Sequence, residues 1–212
     1  MQALTPLVIK LGGGEGLNLE RCCADIAALQ TSRPLVIVHG VSAMMAELSA
    51  VRNIPVQMLT SPSGHSFRYT NPQVRDLYIE ACHRANEQIV SLLRAQGLQA
   101  AGQLSPIVVH GQRKNAIRAL VNGRVRIVRD DYSGSIKGVN VAPLNHHLAA
   151  GVIPVVPPLA TSDDGLLNVD GDRAGAAVAG ALRAGDYIIL SNVQGLYRNF
   201  DDPTTHISTV TA

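Results

Sequence analysis

LVIKLGGGEG, Leu7 to Gly16, is the stretch from which the rest of the chain is read. Leu7 to Leu11 is a short apolar run broken only by Lys10, the pattern of a strand buried on both faces of a parallel sheet. A lysine is rarely fully buried unless paired. Three consecutive glycines weaken any regular element. The run therefore reads as a strand, a cation near its end, and a turn whose backbone can approach another group closely. Two explanations satisfy it. The lysine stem snorkels to water, or the ammonium faces an anion held by glycine N–H groups.

Working outward, Asn18 is an N-cap for a helix to about Gln30, with Leu19, Cys22, Cys23, Ile26 and Leu29 at helical spacing. Pro34 opens a second buried strand, Leu35 to His39. Gly40 breaks it, and a helix follows from Ser42 to about Val51. This strand–helix–strand–helix order predicts a parallel sheet covered by helices. The turns Gly12-Gly13-Gly14 and Gly40-Val41 then lie at carboxyl ends of strands, where ligands bind in such sheets. Beyond them, residues 56–70 form a hairpin around Ser61-Pro62-Ser63-Gly64. Asn71-Pro72 starts a long helix to about Gln96. Ile107 to His110 is a short strand, and Asn122-Gly123 marks a second hairpin. A helix over Asn140 to Ala150, a strand from Val152, a helix over Asp170 to Arg183 and a strand over Tyr187 to Ser191 complete the order. The fold class is α/β, a mainly parallel sheet with two inserted β-hairpins.

Composition narrows the function. With 212 residues and 46% hydrophobic content the chain can bury a real core. A net charge of +2 and 3% aromatics argue against a nucleic-acid partner. No apolar run reaches membrane-spanning length. Cys22, Cys23 and Cys82 form neither a disulfide framework nor a CxxC site, which fits a cytoplasmic location. There is no Walker loop and no GxGxxG. His146-His147 would diverge on a helix and make a poor zinc pair.

Three other places carry candidate chemistry. Asn168, Asp170 and Asp172 crowd one helix mouth; one of them suffices to cap it. Ser191 and Asn192 end the last strand before Gly195 and Tyr197, where backbone groups can hold a base or ribose. Arg68, in the first hairpin, can bind a carboxylate bidentately. From Arg113 to Arg129 there are six basic residues (Arg113, Lys114, Arg118, Arg124, Arg126, Arg129) and no acidic one. They make either a solvated hairpin edge or a positive stripe that steers an acidic partner.

In sequence, "IKLGGG", "VIVHG", Arg68 after its hairpin, "GVIPVV", "LNVDGDRAGAAVA" and "LSNVQGLY" resemble the amino acid kinase family, in its acetylglutamate kinase group. "GGGEGLN", the Ser-Pro-Ser-Gly hairpin and "VNGRVRIVRDDYSGSI" are similar to the kinases that act on substrates linked to the amino-group carrier protein LysW. The resemblance implies a three-layer αβα sandwich and ATP- and Mg²⁺-dependent phosphorylation of the side-chain carboxylate of carrier-linked α-aminoadipate or glutamate. It implies a catalytic Lys10 oriented by Asp172, with Gly12 and Gly13 donating to phosphates. Gly40 and Val41 would face the reacting carboxylate, Arg68 and Asn168 grip the amino-acid end, and Ser191, Asn192, Gly195 and Tyr197 line the nucleotide. Arg113, Lys114, Arg124 and Arg126 would dock an acidic, LysW-like carrier. A homodimer is implied as well.

Against that pattern, Val41 replaces a second glycine and is expected to narrow the site. The segment Gly102 to Gly111 looks shortened. The chain is expected to hold one kinase domain, with a substrate lobe to about residue 160 and the start of a nucleotide lobe after it. A second catalytic lysine would follow Ala212 in the family, and neither Lys114 nor Lys137 stands at its place. A truncated or impaired kinase is therefore expected. Kinase action on free N-acetylglutamate and non-catalytic nucleotide or amino-acid binding are the alternatives.

Overall fold

The structure is a computed structural model that describes residues 5–29, 33–64, 66–121 and 123–211. The helix end expected at Gln30, the Asn122 half of the second turn and the last residue, Ala212, lie outside them. The first half of the chain runs β1 (Leu7–Leu11), α1 (Leu19–Leu29), β2 (Leu35–His39), α2 (Ser42–Arg52), β3 (Met58–Thr60), β4 (Ser66–Arg68), α3 (Pro72–Ala95) and β5 (Ala100–Gly102). Next come β6 (Val109–Arg113), β7 (Ile117–Val121), β8 (Arg124–Val128), β9 (Gly134–Val139), α4 (Ala142–Ala149), β10 (Ile153–Val156), β11 (Leu159–Ser162), β12 (Gly165–Asn168), α5 (Gly171–Ala181) and β13 (Asp186–Leu190). A short pair, β14 (Leu196–Tyr197) and β15 (His206–Ile207), follows.

The central sheet has the order β13-β1-β2-β10-β5, and every pair in it is parallel. Strand alternation sorts β1 between two cores. Leu7, Ile9 and Leu11 pack with Cys23 and Ile26 of α1 and Ile89 and Leu93 of α3. Val8 faces the other way, onto Leu144 of α4 and Ala174 and Val178 of α5. Helices thus cover both faces, and the architecture is a three-layer αβα sandwich. Each fully buried aliphatic of β1 contributes about 1.5–3 kcal/mol relative to exposure. Both expected caps form. Asn18 Oδ1 accepts the Arg21 N–H at 3.0 Å, and Asn71 Oδ1 accepts the Val74 N–H at 2.9 Å with Pro72 behind it.

The two expected hairpins, β3–β4 and β7–β8, do not stand apart. They join through Thr60 and Leu120 into one antiparallel sheet, β4-β3-β7-β8. A further mixed sheet, β12-β11-β6-β9, carries the β11–β12 hairpin, which turns at Gly165 with φ +91°. Its Asp164-Gly165 dipeptide is a local turn signal. Among the described residues no helix is long and apolar enough to cross a membrane.

Candidate active site

Period-two alternation sends Lys10 to the same face as Val8, toward α5. There Lys10 Nζ lies 2.5 Å from Asp172 Oδ1. The lysine side chain is 11% exposed and the aspartate 55%, so the pair stands at the rim of the core with its carboxylate open to a cleft. The crowd of carboxylates divides its work. Asp170 is the α5 N-cap, its Oδ1 accepting the Arg173 N–H at 2.8 Å, which leaves Asp172 to the lysine. The Tyr187 hydroxyl donates to the Asp172 carbonyl at 2.9 Å and fixes that turn.

The two glycine turns meet backbone to backbone. A Cβ on Gly13 would lie 2.1 Å from the Val41 nitrogen, and one on Gly40 2.6 Å from the Gly13 nitrogen. No side chain fits at either position. This contact corrects the expected donors. The Gly12 N–H donates to Leu190 O at 2.8 Å and the Gly40 N–H to Leu11 O at 2.9 Å. The parallel ladder runs one residue past each strand and consumes both groups. The N–H groups of Gly13 and Val41 come next, and neither has a hydrogen-bond partner among the described residues. Val41 is accommodated without backbone strain. Its φ is −141°, which any residue adopts, and its side chain is buried against Met45, Leu48 and Val74.

A cleft of about 660 Å³ joins Lys10, Asp172, Gly13, Gly40 and Val41 to Arg68 and Asn168. The Arg68 guanidinium lies 5.6 Å from the Tyr78 ring centre, and its Nε is buried without a hydrogen-bond partner among the described residues. Asn168 Nδ2 donates to Thr70 Oγ1 at 2.9 Å. Lys114, expected among the carrier-docking residues, and Arg173 also line the cleft. Four cations against Asp170 and Asp172 leave the cleft positive, suited to anions. Ser191 and Asn192 flank the glycine loop instead, and Asn192 Nδ2 donates to Glu15 O at 3.1 Å. Nearby, Gly195 has φ +142°, and Tyr197 packs edge-on against Phe200 and His206. A second cavity, about 580 Å³, opens beyond the Gly13–Gly40 contact; among the described residues it is lined by Glu15 and Glu47 and by no cation.

The basic segment is split. Arg113 donates to the carbonyls of Asp131 and Arg129 and stacks 4.0 Å from the Tyr132 ring centre. Its guanidinium is thereby committed within the fold. The register Ala119↔Arg126 and Val121↔Arg124 puts Arg124 and Arg126 on one face of the hairpin, whereas Arg118↔Ile127 puts Arg118 on the other. Both Arg124 and Arg126 are exposed.

Under Gly40, His39 is fully buried. Asn86 Nδ2 donates both to Val155 O at 2.9 Å and to His39 Nε2 at 3.1 Å, so His39 Nδ1 carries the proton and donates to Gly40 O at 3.1 Å. Burial pushes its pKa down to about 4, against a smaller upward effect of the Gly40 carbonyl. Among the described residues no cluster of three metal-ligating side chains exists.

A sequence model described as the amino acid kinase family matches residues 5–212. The chain belongs to that family. It is 36% identical to the LysW-aminoadipate kinase of Deinococcus radiodurans, over 97% of this chain and 72% of that protein. It is 41% identical to a Pyrococcus horikoshii protein named as a LysW-aminoadipate/LysW-glutamate kinase, over 91% of this chain and 76% of the relative. The solved structure of smu.665 from Streptococcus mutans UA159 superposes with a TM-score of 0.71 at 26% identity, covering 91% of this chain and 75% of that one. The family and its named kinases make this chain a phosphotransferase.

Proposed function

We propose that this kinase transfers the terminal phosphoryl group of ATP to the side-chain carboxylate of α-aminoadipate or glutamate carried on an acidic, LysW-like carrier protein. The product is an acyl phosphate, in lysine or arginine biosynthesis. The observation that carries this reading is the shared cleft: the Lys10–Asp172 pair opens into the same space as Arg68 and Asn168. A carboxylate oxygen attacks the terminal phosphorus while the bond to the departing ADP oxygen breaks. Such transfer relies on positioning and electrostatics rather than on covalent chemistry by the protein. Lys10 neutralises charge on the moving group and Asp172 holds the ammonium in place. Gly13 and Val41 N–H groups supply preorganised donors. Arg68 and Asn168 hold the amino-acid end, and Ser191, Asn192, Gly195 and Tyr197 flank the nucleotide.

The donor set fits a nucleotide's phosphates, since free N–H groups and cations converge on one cleft. It does not form a metal cage by itself. Mg²⁺ would bind largely through phosphate oxygens, with Asp170 and Asp172 the carboxylates at hand, and would neutralise charge between the phosphates.

The carrier-linked substrate is favoured over free N-acetylglutamate by the names of the relatives and by Arg124 and Arg126, an exposed positive pair with no use for a small substrate. The residues to about 160 would serve as the substrate lobe, and the enzyme would act in the cytoplasm as a homodimer. The test is a steady-state comparison of carrier-linked α-aminoadipate and glutamate with free N-acetylglutamate. A higher kcat/KM on a carrier-linked substrate is expected. Equal or better turnover of the free amino acid sinks the carrier reading. Binding of an ATP analogue without any transfer sinks catalysis itself.

A further inference from the structure

Behind Arg68 and Asn168 lies a buried polar knot that the residues of the reaction do not include. Asp131, between β8 and β9, is 1% exposed and makes no salt bridge among the described residues. Its carboxylate is satisfied by protein donors instead. Oδ2 accepts the Thr70 N–H at 2.9 Å. Oδ1 accepts the Ser133 N–H at 2.7 Å and the Ser133 hydroxyl. Thr70 is itself fully buried. Its hydroxyl donates to the Arg68 carbonyl at 3.1 Å and accepts from Asn168 Nδ2 at 2.9 Å. The Thr70 carbonyl accepts the Tyr132 N–H at 2.7 Å, and the Tyr132 carbonyl accepts the Asn168 N–H at 3.0 Å.

One hydroxyl thus touches the main chain of Arg68, on β4, and the side chain of Asn168, on β12, which belong to two different sheets. Capping of α3 does not explain the arrangement, because Asn71 already caps that helix. Burying a carboxylate without a cation is costly unless its hydrogen bonds are complete. Here they are complete only if Thr70 and Ser133 stay where they are.

We propose that Asp131 is a positioning residue: acting through Thr70, it fixes the separation and mutual angle of Arg68 and Asn168, and so the seat of the amino-acid end of the substrate. The inference rests on the reading of Arg68 and Asn168 as the residues that hold that end.

Three variants test it. Thr70→Val keeps the volume and the N–H and removes the bridging hydroxyl. Thr70→Ser keeps the hydroxyl. Asp131→Asn keeps the shape and turns an NH₂ toward a donor. KM for the amino-acid substrate and KM for ATP are measured separately, alongside side-chain ¹⁵N resonances of Arg68 and Asn168. Thr70→Val and Asp131→Asn are expected to raise KM for the amino-acid substrate at least about tenfold, with KM for ATP held within about twofold. The Arg68 and Asn168 signals should move in both, and Thr70→Ser should restore both readouts. Should Asp131→Asn fail to fold, Thr70→Val decides alone. Unmoved resonances, or an equal rise in both KM values with a lowered melting temperature, would show a merely structural role and overturn the proposal. A wild-type protein that turns over neither substrate would refute the proposed function, and the resonances would still decide the positioning.

Discussion

Lys10 Nζ and Asp172 Oδ1 meet at 2.5 Å although β1 and α5 lie at opposite ends of the chain. With the aspartate side chain 55% exposed, this pair adds only about 0–1 kcal/mol to stability. In the proposed reaction its value lies in catalysis. Lys10→Ala is expected to lower kcat by about 10²–10³-fold, the usual loss of one preorganised charge-stabilising donor. The melting temperature should barely change. A variant that keeps more than about a tenth of the wild-type kcat would remove Lys10 from the reaction.

Gly13→Ala and Gly40→Ala put a methyl into main-chain atoms 2.1 Å and 2.6 Å away. Backbone cannot swing aside as a side chain does, so each is expected to cost at least about 1–3 kcal/mol in urea unfolding. Gly138→Ala is the control, since nothing lies within 4 Å of its added Cβ, and it should stay within about 0.5 kcal/mol of wild type. Equal effects at all three positions would dissolve the claim that close approach selects these glycines.

His39 is neutral in the folded protein, with its pKa lowered by burial from 6.5 to about 4. Between those values the unfolded chain holds a proton that the folded one refuses. Stability from this residue is therefore complete above about pH 6.5 and declines as pH falls toward 4, by up to about 3 kcal/mol. Imidazole ¹⁵N shifts should report a neutral ring, protonated at Nδ1, at pH 5.5. A charged ring at that pH contradicts the buried geometry.

Arg124→Glu with Arg126→Glu reverses the exposed pair on β8. On carrier-linked substrate the double variant should lose kcat/KM mainly through association, and the steep fall of wild-type turnover with added salt should flatten. Turnover of a free amino-acid substrate should be unaffected. Unchanged salt dependence would leave the hairpin without a docking role.

Much of the frame was legible locally. Apolar runs marked β1 and β2, and Asn71-Pro72 marked the start of α3, because those signals sit within a few residues of their effect. Lys10 and Asp172 were legible through resemblance, since nothing local ties them together. What escaped depends on long-range pairing. Thr60 meeting Leu120 unites two hairpins, and no turn chemistry announces that. Lys114 reaches the cleft because the β6–β7 connection passes over it. Nothing in the local sequence around Asp131 points to Thr70, which is distant along the chain. Of the expected pairs Gly12–Gly13 and Gly40–Val41, only Gly13 and Val41 keep a free N–H among the described residues, because the extent of a hydrogen-bonded ladder depends on its neighbours in space.

The backbone contact between Gly13 and Gly40 has a mechanical meaning. In the proposed reaction one turn serves the nucleotide and the other the acceptor, and their main chains touch with no side chain between them to absorb a displacement. Tilting either turn therefore carries the other with it. In the proposed reaction, that rigidity would link the seat of the nucleotide to the seat of the acceptor.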